Sequence, residues 1–207
     1  MVTGDEGGVV RAPAYEVLID AGRLRRRIEE LAVELAEACA GAERPPVFVG
    51  VLKGSVLFLA DLVRALPFDV EVDFMSISSY SAGGGQSGVV RIVKDLDSDV
   101  HDRDVVIVED IVDTGLTLNY LRRNLGARSP RSLRAVTLLD KSVRRIVPVP
   151  LEHRGFDIPD VFVVGYGLDF QALYRNVREL LSVPDLPRLA NDPRLLVNPL
   201  WPSSDGC

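Results

Sequence analysis

Val105-Val106-Ile107-Val108-Glu109-Asp110-Ile111-Val112-Asp113-Thr114-Gly115-Leu116-Thr117 decides the reading of this chain. Four β-branched apolar residues run into two acids. Three residues further on come Asp113-Thr114-Gly115, Thr117 and an apolar helical pattern. The order predicts a buried strand over 105–108, a loop carrying acids and hydroxyls, and a helix over about 116–125. Such a loop holds a phosphate on backbone N–H groups and hydroxyls at the helix N-terminus. Its carboxylates hold ribose hydroxyls or Mg2+. The combination points to a phosphorylated sugar.

Working outward, the same alternation repeats. Asp20 offers an N-cap for a helix over about 21–40, with Leu24, Ile28, Leu31 and Leu35 on one face and Arg25, Arg26, Glu29, Glu30, Glu34 and Glu37 on the solvated one. Val47–Leu52 is a continuous apolar run, as for a strand covered on both faces. Lys53-Gly54-Ser55 is its loop, and Val56–Leu66 a helix ended by Pro67. Val70–Ile77 and Val89–Val93 read as strands around a glycine-rich segment, 78–88. Leu133–Leu139 is a strand ending at Asp140-Lys141, and Val161–Val164 a short one before Gly165–Asp169. Pro148, Pro150 and Pro159 mark a less regular stretch. Strands alternating with helices predict an α/β fold, a doubly wound parallel sheet flanked by helices, whose ligands bind at the carboxyl ends of the strands. The loops 53–55, 109–117 and 140–141 all fall at that edge.

The 207 residues fit one α/β domain. Residues 1–14 read as a loose N-terminus, 15–183 as the domain, and 184–207 as a proline-rich tail, extended or disordered, that includes Trp201. With 47% apolar and 26% charged residues, a sizeable core is expected. A net charge of −6 argues against a nucleic-acid-binding surface. Two cysteines imply no disulfide framework, so the cytoplasm is the expected compartment. No run is long and apolar enough for a membrane span of ~18 residues, so no membrane partner is expected.

Each element has a plainer reading. Glu109-Asp110 alone is an ordinary strand-end pair, and Asp113-Thr114-Gly115 a helix-capping turn. Asp-Thr-Gly also occurs in aspartic proteases, but those are all-β and pair two copies, whereas this chain carries one between a strand and a helix. Lys53 and Lys141 alone are surface lysines, Phe162 a core residue, and segment 78–88 a flexible hairpin connection. His101-Asp102 lacks neighbouring histidines and reads as a polar turn.

Together, the thirteen-residue pattern resembles the phosphoribosyl-diphosphate motif of the type I phosphoribosyltransferases. Leu52-Lys53-Gly54-Ser55 is similar to the pyrophosphate loop of their hypoxanthine-guanine branch, in which the bond entering the Lys or Gly can be cis. Ser78-Ser79-Tyr80 resembles the start of that branch's mobile lid, and Leu139-Asp140-Lys141 its purine-binding lysine. Phe156–Asp169 resembles the purine pocket, and Tyr174-Arg175 the late arginine. The similarity covers roughly residues 15–180, in family order.

The resemblance implies a purine-salvage transferase. It would move 5-phosphoribosyl from phosphoribosyl diphosphate to N9 of hypoxanthine, and of guanine, with Mg2+. Lys53, Gly54, Glu109, Asp110, Asp113, Thr114, Gly115, Thr117 and Arg175 would bind phosphoribosyl diphosphate, with Asp113 the general base or acid at purine N7. Lys141, Phe162, Val163 and Asp169 would serve the purine side. Lys141 would donate to the 6-oxo group, and the Phe162 ring would stack on the base. Glu109, Asp110 and Asp169 would hold metal, and Ser79 and Tyr80 would anchor the lid. A small hood would form from the N-terminal segment and about 142–180, and a homodimer or homotetramer is implied. Two departures stand out: Leu116 where many relatives carry Lys or Arg, and Phe170 where a tyrosine is common. A xanthine-preferring enzyme and a non-catalytic regulator on the same fold are the alternatives.

Overall fold

In a computed structural model, which describes residues 13–81 and 88–201, the β-branched run lies at the centre of the main sheet. Strands β1 (Glu16–Ile19), β2 (Val47–Leu52), β3 (Glu71–Ser81), β4 (Gly88–Lys94), β5 (Asp104–Val112), β6 (Ser132–Asp140), β7 (His153–Asp157), β8 (Val163–Val164) and β9 (Leu180–Ser182) alternate with helices α1 (Ala21–Ala38), α2 (Val56–Ala65) and α3 (Leu116–Gly126). Two short helices follow, α4 (Leu186–Asn191) and α5 (Val197–Leu200). Six strands form the main sheet in the order β4-β3-β2-β5-β6-β7. All its pairs are parallel except the β3–β4 hairpin.

Helix α1 begins where Asp20 accepts a hydrogen bond from the Arg23 N–H at 2.9 Å. It buries Leu24, Ile28, Leu31, Ala32 and Leu35; each large apolar side chain so placed contributes about 1.5–3 kcal/mol. With α2 it covers one face of the sheet, against Phe48, Val106, Val108, Val136 and Leu138. Helix α3 covers the other through Leu118, Leu121 and Leu125, against Val47, Val49, Val105 and Ile107. The chain leaves β2 through α2 towards β3, and leaves β5 through α3 towards β6, in opposite directions. The carboxyl ends of β2 and β5 therefore flank the point where strand order reverses, where the crevice of such sheets opens. Among the described residues no helix is long and apolar enough to cross a membrane.

The structure departs from the sequence reading in four places. Strand β5 does not stop at Val108: Glu109 pairs with Thr137, Ile111 with Leu139 and Val112 with Asp140, because β6 extends alongside. Segment 78–81 is likewise strand, laddered to β4; residues 82–87 of the expected lid lie outside the described residues. Residues 153–157, assigned to the hood, form β7 on the edge of the main sheet. Their polar sequence hid them, since an edge strand needs no apolar run. Arg27 closes their outer side by donating to the carbonyls of Gly155 at 3.0 Å and Arg154 at 2.7 Å.

The hood is instead a three-stranded antiparallel sheet, β1-β9-β8, with the segment between β8 and β9. Finally, the tail is folded through Trp201. Leu189 and Leu196 are fully buried and pack with Tyr174, Val177, Leu181 and Val183 of the hood. Its leucines, rather than its prolines, decide its state, because burying them offsets the entropy of ordering the chain.

Candidate active site

At the carboxyl end of β2 the Leu52–Lys53 peptide bond is cis. The buried Ser55 hydroxyl donates to the Val51 carbonyl at 2.7 Å and closes the turn. Between them, Gly54 lies in a slot that admits no side chain. A Cβ there would stand 1.5 Å from Oδ2 of Asp110, and a Cβ on Gly167 would stand 2.2 Å from the Gly54 carbonyl oxygen. Gly167 has φ +97°, in the left-handed region that glycine occupies without strain. The β2 loop thus packs against the Asp110 side chain of β5 on one side and the backbone of the hood on the other.

Glu109 is buried and carries no hydrogen bond or ion pair on its carboxylate among the described residues. Burial, reinforced by the neighbouring Asp110 charge, pushes its carboxyl well above the usual range. Asp110 accepts from the Ile111 N–H at 2.9 Å. Burial nevertheless raises it to about 6, against the lowering influence of that N–H and of Arg175. Two adjacent acids whose charged forms are disfavoured by burial, near the carboxyl end of β5, suit a cation or hydroxyl donors better than a structural ion pair.

After β5 the chain turns through Asp113, Thr114 and Gly115, the last at φ +83° as the residue before α3. The Thr114 carbonyl accepts from the Ile146 and Val147 N–H groups at 3.0 and 3.3 Å, tying the loop to the chain after β6. Leu116, in the first helical turn, is exposed and brings no charge. On the hood side, Arg175 pairs with Asp169 at 2.6 Å and donates to the Gly167 carbonyl at 2.5 Å.

Lys53, Gly54, Glu109, Asp110, Asp113, Thr114, Gly115, Thr117, Asp169 and Arg175 line one cleft of about 360 Å3. Lys141, Phe162 and Val163 do not line it. Lys141 is buried beside it, its N–H donating to the Val112 carbonyl at 2.9 Å. The Phe162 ring packs edge-on against Phe170, 5.8 Å away. Val163 is buried and pairs with Ser182 in the hood sheet. Ser79 and Tyr80 lie in the β3–β4 ladder, opposite Val90 and Val89; their side chains lie outside the described residues.

The sequence reading missed a basic pair. Arg144 Nε stands 3.0 Å from Asp113 Oδ1, and its Nη1 3.3 Å from Asp160. The Asp113 contact is an ion pair without hydrogen-bond alignment, which leaves that oxygen without a hydrogen-bond partner. Arg145 donates to the Asp113 carbonyl at 3.1 Å and forms an ion pair with Asp140. The only sequence signal was a basic doublet just after Lys141, and surface doublets are too common to single out.

Residues 15–171 match the phosphoribosyl transferase domain family. A hypoxanthine-guanine phosphoribosyltransferase of Mycobacterium avium is 49% identical over 165 residues, 78% of this chain and 81% of the relative. A hypoxanthine phosphoribosyltransferase of Salmonella typhimurium is 48% identical over 162 residues, 78% of this chain and 91% of its own. The crystal structure of a hypoxanthine phosphoribosyltransferase from Staphylococcus aureus superposes with a TM-score of 0.79 at 39% identity, covering 87% of this chain and 97% of that one.

Proposed function

The chain belongs to the phosphoribosyltransferase family, and from that premise we propose that it transfers 5-phosphoribosyl from phosphoribosyl diphosphate to N9 of hypoxanthine and guanine, giving IMP or GMP and pyrophosphate. One observation carries the reading beyond family membership. The loop after β2, the acids at the end of β5, the turn 113–117 and the Asp169–Arg175 pair converge on a single cleft at the switch point of the sheet.

In the reaction N9 attacks C1 of the ribose as the C1–oxygen bond to diphosphate breaks. The electron pair leaves with the diphosphate, and the purine gives up a proton. The backbone N–H groups of turn 113–117 and the hydroxyls of Thr114 and Thr117 face the 5′-phosphate, in the manner of a helix N-terminus. Lys53, the Gly54 backbone and Arg175 face the diphosphate. Glu109 and Asp110 accept from the ribose hydroxyls, and Asp113 takes the proton at purine N7. Lys141, a donor-only ammonium, hydrogen-bonds a 6-oxo group and has no equivalent bond to a 6-amino group. Phe162 and the Val163 backbone form the wall on the base side.

No three His, Cys, Asp or Glu side chains converge into a metal cage among the described residues. Magnesium, which takes one or two carboxylates and completes its shell with phosphate oxygens and water, fits such a site. The unpartnered Glu109, with Asp110, would hold one ion, and Asp169 across the cleft a second. When bound, it neutralises charge on the leaving diphosphate. We carry over two further expectations from the family: a cytoplasmic location, and a homodimer or homotetramer through the helices flanking the sheet.

The test is a base panel. The purified protein is given phosphoribosyl diphosphate, Mg2+ and, separately, hypoxanthine, guanine, xanthine or adenine. Pyrophosphate release with hypoxanthine and guanine is expected. Release with xanthine alone would sink the assignment of base, and no release with any purine would sink the enzyme.

A further inference from the structure

The tail closes over the back of the turn that presents Arg175. That turn is held in an uncommon conformation: Gln171, Ala172 and Tyr174 have φ of 49°, 66° and 74°. A bulky residue such as Tyr174 adopts the left-handed region only when its surroundings impose it. On the cleft side the imposing contacts belong to the site itself. Asp169 accepts from the Ala172 N–H at 2.7 Å and pairs with Arg175. On the far side they belong to the tail. The Tyr174 hydroxyl donates to the Pro193 carbonyl at 2.5 Å and accepts from the Leu196 N–H at 3.3 Å. Trp201 stacks on the Tyr174 ring, its plane within 2° and its centroid 6.5 Å away. The family match ends at residue 171, so every tail contact lies beyond it.

We propose that residues 185–201 are a positioning element for Arg175, acting through Tyr174 and Trp201, which sets the diphosphate end of the cleft from its outer side. This rests on the reading of Arg175 as a diphosphate-binding residue. A left-handed Tyr174 aims the next residue inward. If the stack and the hydroxyl bonds are released, the turn relaxes towards commoner angles and Arg175 leaves Asp169 and Gly167. Tyr174 is a positioning residue in this scheme and touches no substrate.

The experiment measures kcat and both KM values on the full chain carrying Trp201→Ala, Trp201→Phe, Tyr174→Phe or Arg175→Gln, well below the unfolding temperature. Trp201→Ala is expected to raise KM for phosphoribosyl diphosphate by about three- to ten-fold, the worth of one aromatic stack. KM for hypoxanthine should stay within about two-fold. Trp201→Phe should restore most of the loss, and Tyr174→Phe should act in the same direction as Trp201→Ala. A lower unfolding temperature for Trp201→Ala with an unchanged KM for phosphoribosyl diphosphate, while Arg175→Gln raises that KM, overturns the proposal and leaves the tail a stabilising role only. An unchanged KM in Arg175→Gln overturns the reading of Arg175, and the proposal with it.

Discussion

Gly54 and Asp110 are in contact so close that a methyl group on the glycine would stand 1.5 Å from the carboxylate oxygen Oδ2. Room to yield is limited on both sides: the Asp110 carboxylate accepts from the Ile111 N–H at 2.9 Å, and the Gly54 carbonyl faces Gly167. The loop after β2 and Asp110 are therefore closely set against each other.

Gly54→Ala is accordingly expected to push the loop and Asp110 apart by more than an ångström. Displacement on that scale costs on the order of 100-fold in rate. Steady-state assays should show the loss in kcat/KM for phosphoribosyl diphosphate, with an unchanged circular dichroism spectrum. Activity within a few-fold of the parent would mean that this contact is not part of the working site.

The raised value of Asp110 sets a pH dependence of definite sign. Unfolded, the carboxyl gives up its proton near 3.8; folded and buried, it does so at about 6. Between those values the folded state binds more protons, so this group's contribution to the stability of the unliganded protein declines as pH rises through the window and levels off above it. Glu109, raised by the same burial, carries the same sign. Asp104 and Glu152 run the other way. Burial would raise them, but hydrogen bonds from Arg131 and Ser132 and from Arg122 hold both below the usual range. The comparison that isolates Asp110 is therefore parent against Asp110→Asn. The variant's urea midpoint should gain on the parent's as pH rises from 4 to about 6. Affinity for phosphoribosyl diphosphate should weaken more steeply below pH ~6 in the parent than in the variant. A constant difference between the two midpoints across that range would remove the charge argument.

Asp113→Asn removes the proposed proton acceptor and keeps its shape. A fall in kcat of ~10²–10⁴ is expected, with KM for phosphoribosyl diphosphate little changed. Near-normal turnover would take Asp113 out of the proton transfer and leave it as the partner of Arg144, 3.0 Å away.

Much of the site was legible because its signal is local. Residues 105–117 carry strand, acids, glycine and helix start in thirteen consecutive positions, and each piece follows from its own composition. Asp20 and the spacing of Leu24, Ile28, Leu31 and Leu35 likewise predict α1 unaided, and it forms over Ala21–Ala38. Strand β7 was hidden because its pairing partner β6, rather than any periodicity of its own, makes it a strand. The tail was hidden because its few leucines gain burial only against a hood formed by distant segments.

The alternation of strands and helices, the order of the loops and the chemistry each loop carries could all be read from the chain, since they follow from the pattern of neighbouring residues. It took the folded chain to place Glu109 and Asp110 inside a laddered strand, Gly167 against Gly54, Arg144 beside Asp113 and Trp201 on Tyr174. Each of these joins residues that composition leaves independent. Their meeting depends on how the sheet reverses its strand order and where the hood folds back, and that is settled by burial across the whole chain at once.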